Sequence, residues 1–223
     1  MKHSGYIALI AGYLLLIPVY SLAQNLKDLS MDAGLYFNSD NDAAFHFSVN
    51  YNRLFNQYFG VSAGAMFLSA PLDAAGWSNE EQTIHYYLDE KNVRHINIVL
   101  SVFYMRPFIR NTGMYGKGSF LFEPIPYQYL SIEKRTGNDW NLVPENHGKF
   151  QYSGFSPGTF AEAGLFHDFK KGDKGVRLFV GFGYGWYDMY AAYRRTTIDG
   201  QKLSLHIPRD NYYKRITIRL MGI

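Results

Sequence analysis

The chain has 223 residues, enough for one domain with a substantial core. Hydrophobic residues make up 47%, yet mean hydropathy is −0.21, so apolar residues are diluted by polar ones and not gathered into membrane helices. A formal charge of +3 without a Lys/Arg cluster excludes a nucleic-acid surface, and the absence of cysteine excludes a disulfide scaffold or a thiolate metal site.

Residues 1–23 read as an export signal. Lys2 and His3 form a basic start, Tyr6–Tyr20 is apolar, and Ser21-Leu22-Ala23 supplies the small residues of a cleavage site, so the mature domain is expected over 24–223. The apolar run of about 15 residues falls short of the ~20 that a spanning helix needs. A membrane location for the remainder therefore requires a barrel.

The mature chain alternates with a period of two, the mark of strands whose faces meet different surroundings. In Met31–Asn38, Met31, Ala33, Leu35 and Phe37 oppose Asp32, Gly34, Tyr36 and Asn38. In Ala43–Asn52, Phe45, Phe47, Val49 and Tyr51 oppose His46, Ser48, Asn50 and Asn52. Tyr58–Phe67 sets Phe59, Val61, Ala63, Ala65 and Phe67 against Tyr58, Gly60, Ser62, Gly64 and Met66, and His95–Tyr104 sets Ile96, Ile98, Leu100, Val102 and Tyr104 against His95, Asn97, Val99, Ser101 and Phe103. Met114–Glu123 is the least regular, with Lys117 and Glu123 on its polar face. Thr159–Phe166 opposes Ala161, Ala163 and Leu165 to Glu162 and Gly164; Val176–Tyr187 opposes Val180, Phe182 and Tyr184 to Arg177, Gly181 and Gly183. The last strand opposes Ile216, Ile218 and Leu220 to Arg215, Thr217 and Arg219. Eight strands predict an all-β fold, a closed antiparallel up-and-down transmembrane barrel.

Alternation alone also fits a secreted soluble barrel of lipocalin type, with its apolar face inward around a small apolar ligand. Three features favour the inverted case. The apolar faces are uncharged, the polar faces are rich in glycine and small residues, and aromatics (Tyr51, Phe59, Tyr104, Trp186, Tyr187) gather near strand ends, as in interfacial girdles. The connections agree. Arg53–Gln57, Pro107–Gly113 and Phe169–Gly175 are short and lie on the side of the termini; opposite them lie Ser39–Asp42, Ser69–Asn92, Pro124–Gly158 and the link between the last two strands, three of the four long. That predicts periplasmic termini and extracellular loops. Asp199-Gly200 is a two-residue hairpin signal between Tyr193–Ile198 and Gln201–Ile207, which predicts a protruding ribbon with a register correction at Pro208.

In this pattern the mature chain resembles the small outer-membrane β-barrel proteins of Gram-negative bacteria, of the outer-membrane protein A and X type. The resemblance implies eight strands around a filled interior. Such barrels commonly end on an aromatic residue, whereas this chain ends Leu220-Met221-Gly222-Ile223.

A barrel of this size is filled by its own side chains, which argues against a pore. Asp32, Lys117, Glu123, Glu162, Arg177, Arg215 and Arg219 are the candidate interior polar network, because charges inside a barrel need partners. Closure brings Asp32 toward Arg215 or Arg219, and adjacent strands bring Glu162 toward Arg177. His46 and Ser48 share a strand face and resemble the His-x-Ser arrangement of the outer-membrane lipid A deacylases, although that family carries it on the outer wall near the C-terminal end. They are the candidates for catalysis; filling of the interior is the structural alternative. His85, His95, His147 and His206 have no metal-site spacing, and Glu80, Glu81, Asp89 and Glu90 read as a solvated acidic loop. The sequence thus predicts no cofactor or metal and a monomer without catalysis. Outer-membrane lipid and the barrel-assembly machinery are the expected partners. The loops, with Trp140 and Tyr86, Tyr87, Tyr127 and Tyr129, are expected to meet an extracellular ligand or protein.

Overall fold

The computed structural model describes residues 28–38, 43–72, 76–78, 84–88, 92–124, 129–136, 143–151, 156–171, 174–195, 197–198, 200–202 and 211–223. The export signal and Pro208 lie outside them.

Eight antiparallel strands close into a barrel: β1 (Leu29–Phe37), β2 (Ala43–Leu54), β3 (Phe59–Pro71), β6 (Asn92–Ile109), β7 (Thr112–Phe122), β10 (Pro157–Lys171), β11 (Lys174–Tyr187) and β14 (Tyr212–Gly222). Each pairs with its neighbour in sequence, and β1 pairs with β14, Asp32 opposite Arg219 and Ala33 opposite Ile218. Val180 faces Ile218 and Phe182 faces Ile216, which is the parity that places these apolar residues on one side. The partner row that starts at Phe37 runs through Lys214, Tyr184, Ala161, Gly118, Val102 and Val61 to Arg53, two residues past the Tyr51–Leu29 pair. The row thus returns to β1 about ten residues from its start, a stagger consistent with strands tilted by roughly 40–45°.

The apolar rows face outward. Phe45, Phe47, Val49, Ile96, Leu100, Val102, Leu165, Val180, Phe182, Ile216 and Ile218 are exposed, while Asp32, His46, Ser48, Asn97, Lys117, Glu162, Arg215 and Arg219 are buried. Inside-out burial of this kind rules out the lipocalin-like arrangement, which needs the apolar face within. Met114–Glu123, the least regular stretch in sequence, lies on a strand paired on both sides through Phe122, with Glu123 just past its end; Gly116 and Gly118 leave gaps in its outward apolar row.

The interior is layered. Phe103, Met105, Tyr115, Phe166, Phe179 and Met221 form an apolar cluster toward the short turns. A second cluster, including Tyr36, Met66, Leu68, Leu121, Phe160, Tyr187 and Tyr213, fills the end toward the long loops. Charged side chains lie between.

The long connections contain strands of their own. β4 (Gly76–Ser78), β5 (Ile84–Leu88), β8 (Tyr129–Thr136) and β9 (Val143–Gln151) form a separate four-stranded sheet in that order. Its Tyr86 is buried and belongs to the upper apolar cluster. The last connection also departs from expectation. β12 (Thr197–Ile198) and β13 (Gln201–Lys202) pair in the predicted register, with Gly200 at φ +82°, which glycine adopts without strain. The ribbon does not extend back through residue 193, because Ala191–Arg195 is a short helix, α1. Arg194 N donates to Tyr190 O, and the Arg194 guanidinium pairs with Asp188, so local contacts displace the extended form. Met189 and Tyr190 are drawn into the upper cluster, and Tyr190 Oη donates to Pro71 O at 2.6 Å.

Candidate functional site

The interior charges converge on Glu162. Its Oε1 accepts from Tyr115 Oη at 2.6 Å and Arg219 Nη2 at 3.0 Å, and its Oε2 accepts from Arg215 Nη2 at 2.5 Å and Thr217 Oγ1 at 3.1 Å. Asp32 Oδ2 accepts from Lys117 Nζ at 3.0 Å. Arg219 Nε lies 3.2 Å from Asp32 Oδ1, an ion pair outside hydrogen-bond geometry. Arg219 therefore bridges both carboxylates. The guanidiniums are also stacked: Arg219 lies 4.6 Å from the Phe179 ring centre and Arg215 5.0 Å from that of Phe160. Such stacking offsets part of the cost of burying a cation.

The strand period explains the convergence. Asp32, Lys117, Glu162, Arg215 and Arg219 sit at inward positions on four strands, and Asp32–Arg219 and Glu162–Lys117 are cross-strand partners. Gly181 and Gly183 on β11 make room. A Cβ added at Gly181 would collide with the Tyr115 hydroxyl and approach Glu162. Neutral inward pairs accompany the charged layer: Asn50 Nδ2 donates to Ser48 Oγ at 3.0 Å on β2, and Ser101 Oγ on β6 donates to Ser119 Oγ on β7 at 3.0 Å.

Two of the predicted network residues lie apart from this layer. Arg177 does not meet Glu162. It forms a two-pronged pair with Asp168 at 2.5 and 2.8 Å near the short turns, because register places Arg177 opposite Asp168 and Glu162 opposite Gly183. Glu123 lies near the other end, with Oε2 3.1 Å from His95 Nδ1, beside Asn97, which accepts from Tyr187 Oη at 3.0 Å. Tyr187 is thereby fully buried and is not part of an outer aromatic girdle. Asp168 and Tyr115 were the partners missed in sequence, and Thr217, read on the inward face, was not named as a partner. Tyr115 shares the parity of Lys117 within Met114–Glu123, and Asp168 lies two positions beyond Thr159–Phe166 on the parity of Glu162.

His46 and Ser48 are both buried inside the barrel. Ser48 Oγ accepts from Asn50, and the His46 ring packs edge-on against Tyr36 with 4.9 Å between centres. His46 Nδ1 has no hydrogen-bond partner among the described residues. This geometry does not make a hydroxyl–imidazole couple. A hydroxyl that does meet an imidazole is Thr112, with Oγ1 2.7 Å from His167 Nδ1; the two are cross-strand partners closing one end of the β7–β10 ladder. Among the described residues no group of three or more His, Asp or Glu is arranged to hold a metal ion.

The interior is stoppered at both ends, by Met189, Tyr190, Leu72 and Tyr86 toward the loops and by the Arg177–Asp168 pair with Met105 and Phe166 toward the turns. Above the barrel, the outward face of the second sheet carries His85, Tyr87, Glu133 and Arg135. Arg135 stacks 4.7 Å from the Tyr87 ring centre, and its bond to Glu133 raises its guanidinium above the ordinary value.

No protein-family model and no curated protein matches the sequence. Among solved structures, the chain is similar to the crystal structure of Neisserial surface protein A (NspA), at 9% identity and a TM-score of 0.40 over 86% of this chain and 92% of that one. It is also similar to the N-terminal β-barrel domain of Pseudomonas aeruginosa OprF, at 6% identity and a TM-score of 0.38 over 88% and 98%. The eight-stranded architecture of this chain rests on its own strand pairing.

Proposed function

We propose that this chain is an outer-membrane β-barrel protein without catalytic activity, which presents its folded loop sheet to an extracellular ligand or protein. The observation that carries this reading is the inversion of the barrel. An outward belt of Val, Ile, Leu and Phe surrounds a buried layer of paired charges. In water that belt would be an exposed apolar patch of a size that monomeric soluble proteins avoid, whereas a bilayer requires it. Aromatics flank the belt on both sides: Tyr51, Phe55, Phe59, Tyr104 and Phe108 near the turns, and Phe120, Tyr184 and Tyr212 near the loops. The export signal read in residues 1–23 supports the same location. Termini and short turns then face the periplasm and the long connections face outward. The filled, stoppered interior argues against conduction, and the separation of His46 from a free hydroxyl argues against ester hydrolysis.

The test is membrane fractionation followed by gel migration with and without boiling. A closed barrel remains folded in cold detergent and migrates faster than its boiled form. Recovery in the soluble periplasmic fraction, with identical migration in both lanes, would rule the reading out.

A further inference from the structure

The two ends of the barrel carry opposite charge. The three short turns, residues 53–59, 106–112 and 169–175, hold Arg53, Arg106, Arg110, Lys170, Lys171 and Lys174 against a single acid, Asp173. The four connections at the other end, residues 38–42, 72–91, 124–156 and 188–211, hold thirteen Asp and Glu against eight Lys and Arg. Arg53, Arg106, Arg110 and Lys170 are exposed, and no described carboxylate pairs with any of them. Asp168, the nearby acid on β10, points inward to Arg177. At the loop end, by contrast, Arg135 is engaged by Glu133 and Arg194 by Asp188.

The unpaired cations alternate with exposed apolar side chains. Phe55 is 63% exposed, Phe108 53% and Ile109 65%, and Tyr58 and Phe169 are also exposed. Phe55 stacks on Phe59 at 5.8 Å between centres, which stiffens the β2–β3 turn. Cations interleaved with exposed aromatics match the boundary between lipid phosphates and acyl chains, where long basic side chains reach the phosphate level and aromatic rings sit at the carbonyl level. Resting on the membrane reading above, we infer that this turn rim is a docking surface for anionic phospholipid headgroups in the leaflet that holds the turns. The acidic loop end is repelled by such a surface, so the same charge pattern favours one orientation of the barrel.

The test uses the full mature chain folded into vesicles of phosphatidylcholine with 20 mol% phosphatidylglycerol, with spin-labelled versions of either lipid. The ratio of motionally restricted label gives the relative association of the two headgroups. The wild-type chain should prefer the anionic lipid by roughly threefold or more, since each surface cation attracts it appreciably. Salt at 0.5 M should erase most of the preference, because these groups are exposed. R53Q/R106Q/R110Q/K170Q should bring the ratio close to one, and the single variants R53Q and K170Q should each lower it in part. K134Q/R135Q at the loop end should leave it unchanged. No preference in the wild type, retention in the fourfold and single variants, or an equal loss in K134Q/R135Q would overturn the inference. Failure to insert into either lipid would overturn the membrane reading, and this inference with it; insertion without headgroup preference would overturn the inference alone.

Discussion

Glu162→Leu is the substitution that strains the interior most. The carboxylate accepts four hydrogen bonds, two of them from the buried guanidiniums of Arg215 and Arg219. Removing it leaves Arg215 with the Tyr36 hydroxyl as its hydrogen-bond acceptor, and leaves Asp32 as the single carboxylate near Arg219 and Lys117. Loss of one partner from a buried pair costs about 3–5 kcal/mol, and the Tyr115 and Thr217 hydroxyls lose their acceptor as well. A destabilisation of about 4 kcal/mol is expected, a shift of roughly a thousandfold in the folding equilibrium. Urea unfolding in lipid vesicles, followed by circular dichroism and by gel migration, measures it. Arg215→Met alone should also be costly, but the double variant should recover about 2 kcal/mol of the sum, since the two changes remove one pair. If Glu162→Leu cost under about 0.5 kcal/mol, or the two effects simply added, the charged layer would not hold the interior together in the way described.

Glycine substitutions separate the two faces of the wall. Gly181→Ala should destabilise by about 1–3 kcal/mol through its clash with Tyr115, whereas Gly118→Ala, whose added methyl would meet only Val102 Cγ2 at 3.7 Å, should lie within about 0.5 kcal/mol of wild type in the same unfolding assay. Val180→Arg, on the outward face between Leu165 and Ile218, should cost about 2–4 kcal/mol in vesicles. Ser48→Ala should leave the lipid mass profile of the host membrane unchanged, because Ser48 is buried and bonded to Asn50. Replacing residues 73–91 by a short linker should preserve heat-dependent gel migration, with a modest loss of stability from the missing Tyr86 contact.

The barrel was legible because each wall strand has one uncharged, largely apolar face and one that holds the small, polar and charged residues, and β2 alternates almost without interruption. The even parity linking Val180 with Ile218 followed from the same rule. Partner choice inside was only half legible. Parity puts Glu162 and Arg177 on one face, but the axial register that sends Arg177 to Asp168 depends on the exact hairpin offset. The loop sheet was not legible, since β5 and β8 pair over a long separation, β5 has only five residues, and β8 carries no apolar residue after Ile132 to continue a row. Helix α1 was hidden by the stronger Asp199-Gly200 turn signal, which fixes its hairpin but says nothing about residues four or more positions upstream. His46 and Ser48 show that residues sharing a strand face need not touch: Ser48 finds Asn50, two positions along, and His46 finds Tyr36 across the β1–β2 pair.

The central claim is that the outward rows of this barrel meet lipid. The chain has no cysteine, so single cysteines introduced from Ile96 to Tyr104 on β6 can carry a spin label without background. In vesicles, the outward sites Ile96, Ile98, Leu100, Val102 and Tyr104 should be accessible to oxygen and shielded from a water-soluble nickel chelate. Labels at the inward sites Asn97, Val99, Ser101 and Phe103 should be immobile and reached by neither reagent. A two-residue period of oxygen accessibility, highest near Leu100, is the predicted result; ready access of the nickel chelate to Ile98, Leu100 and Val102 would contradict the account.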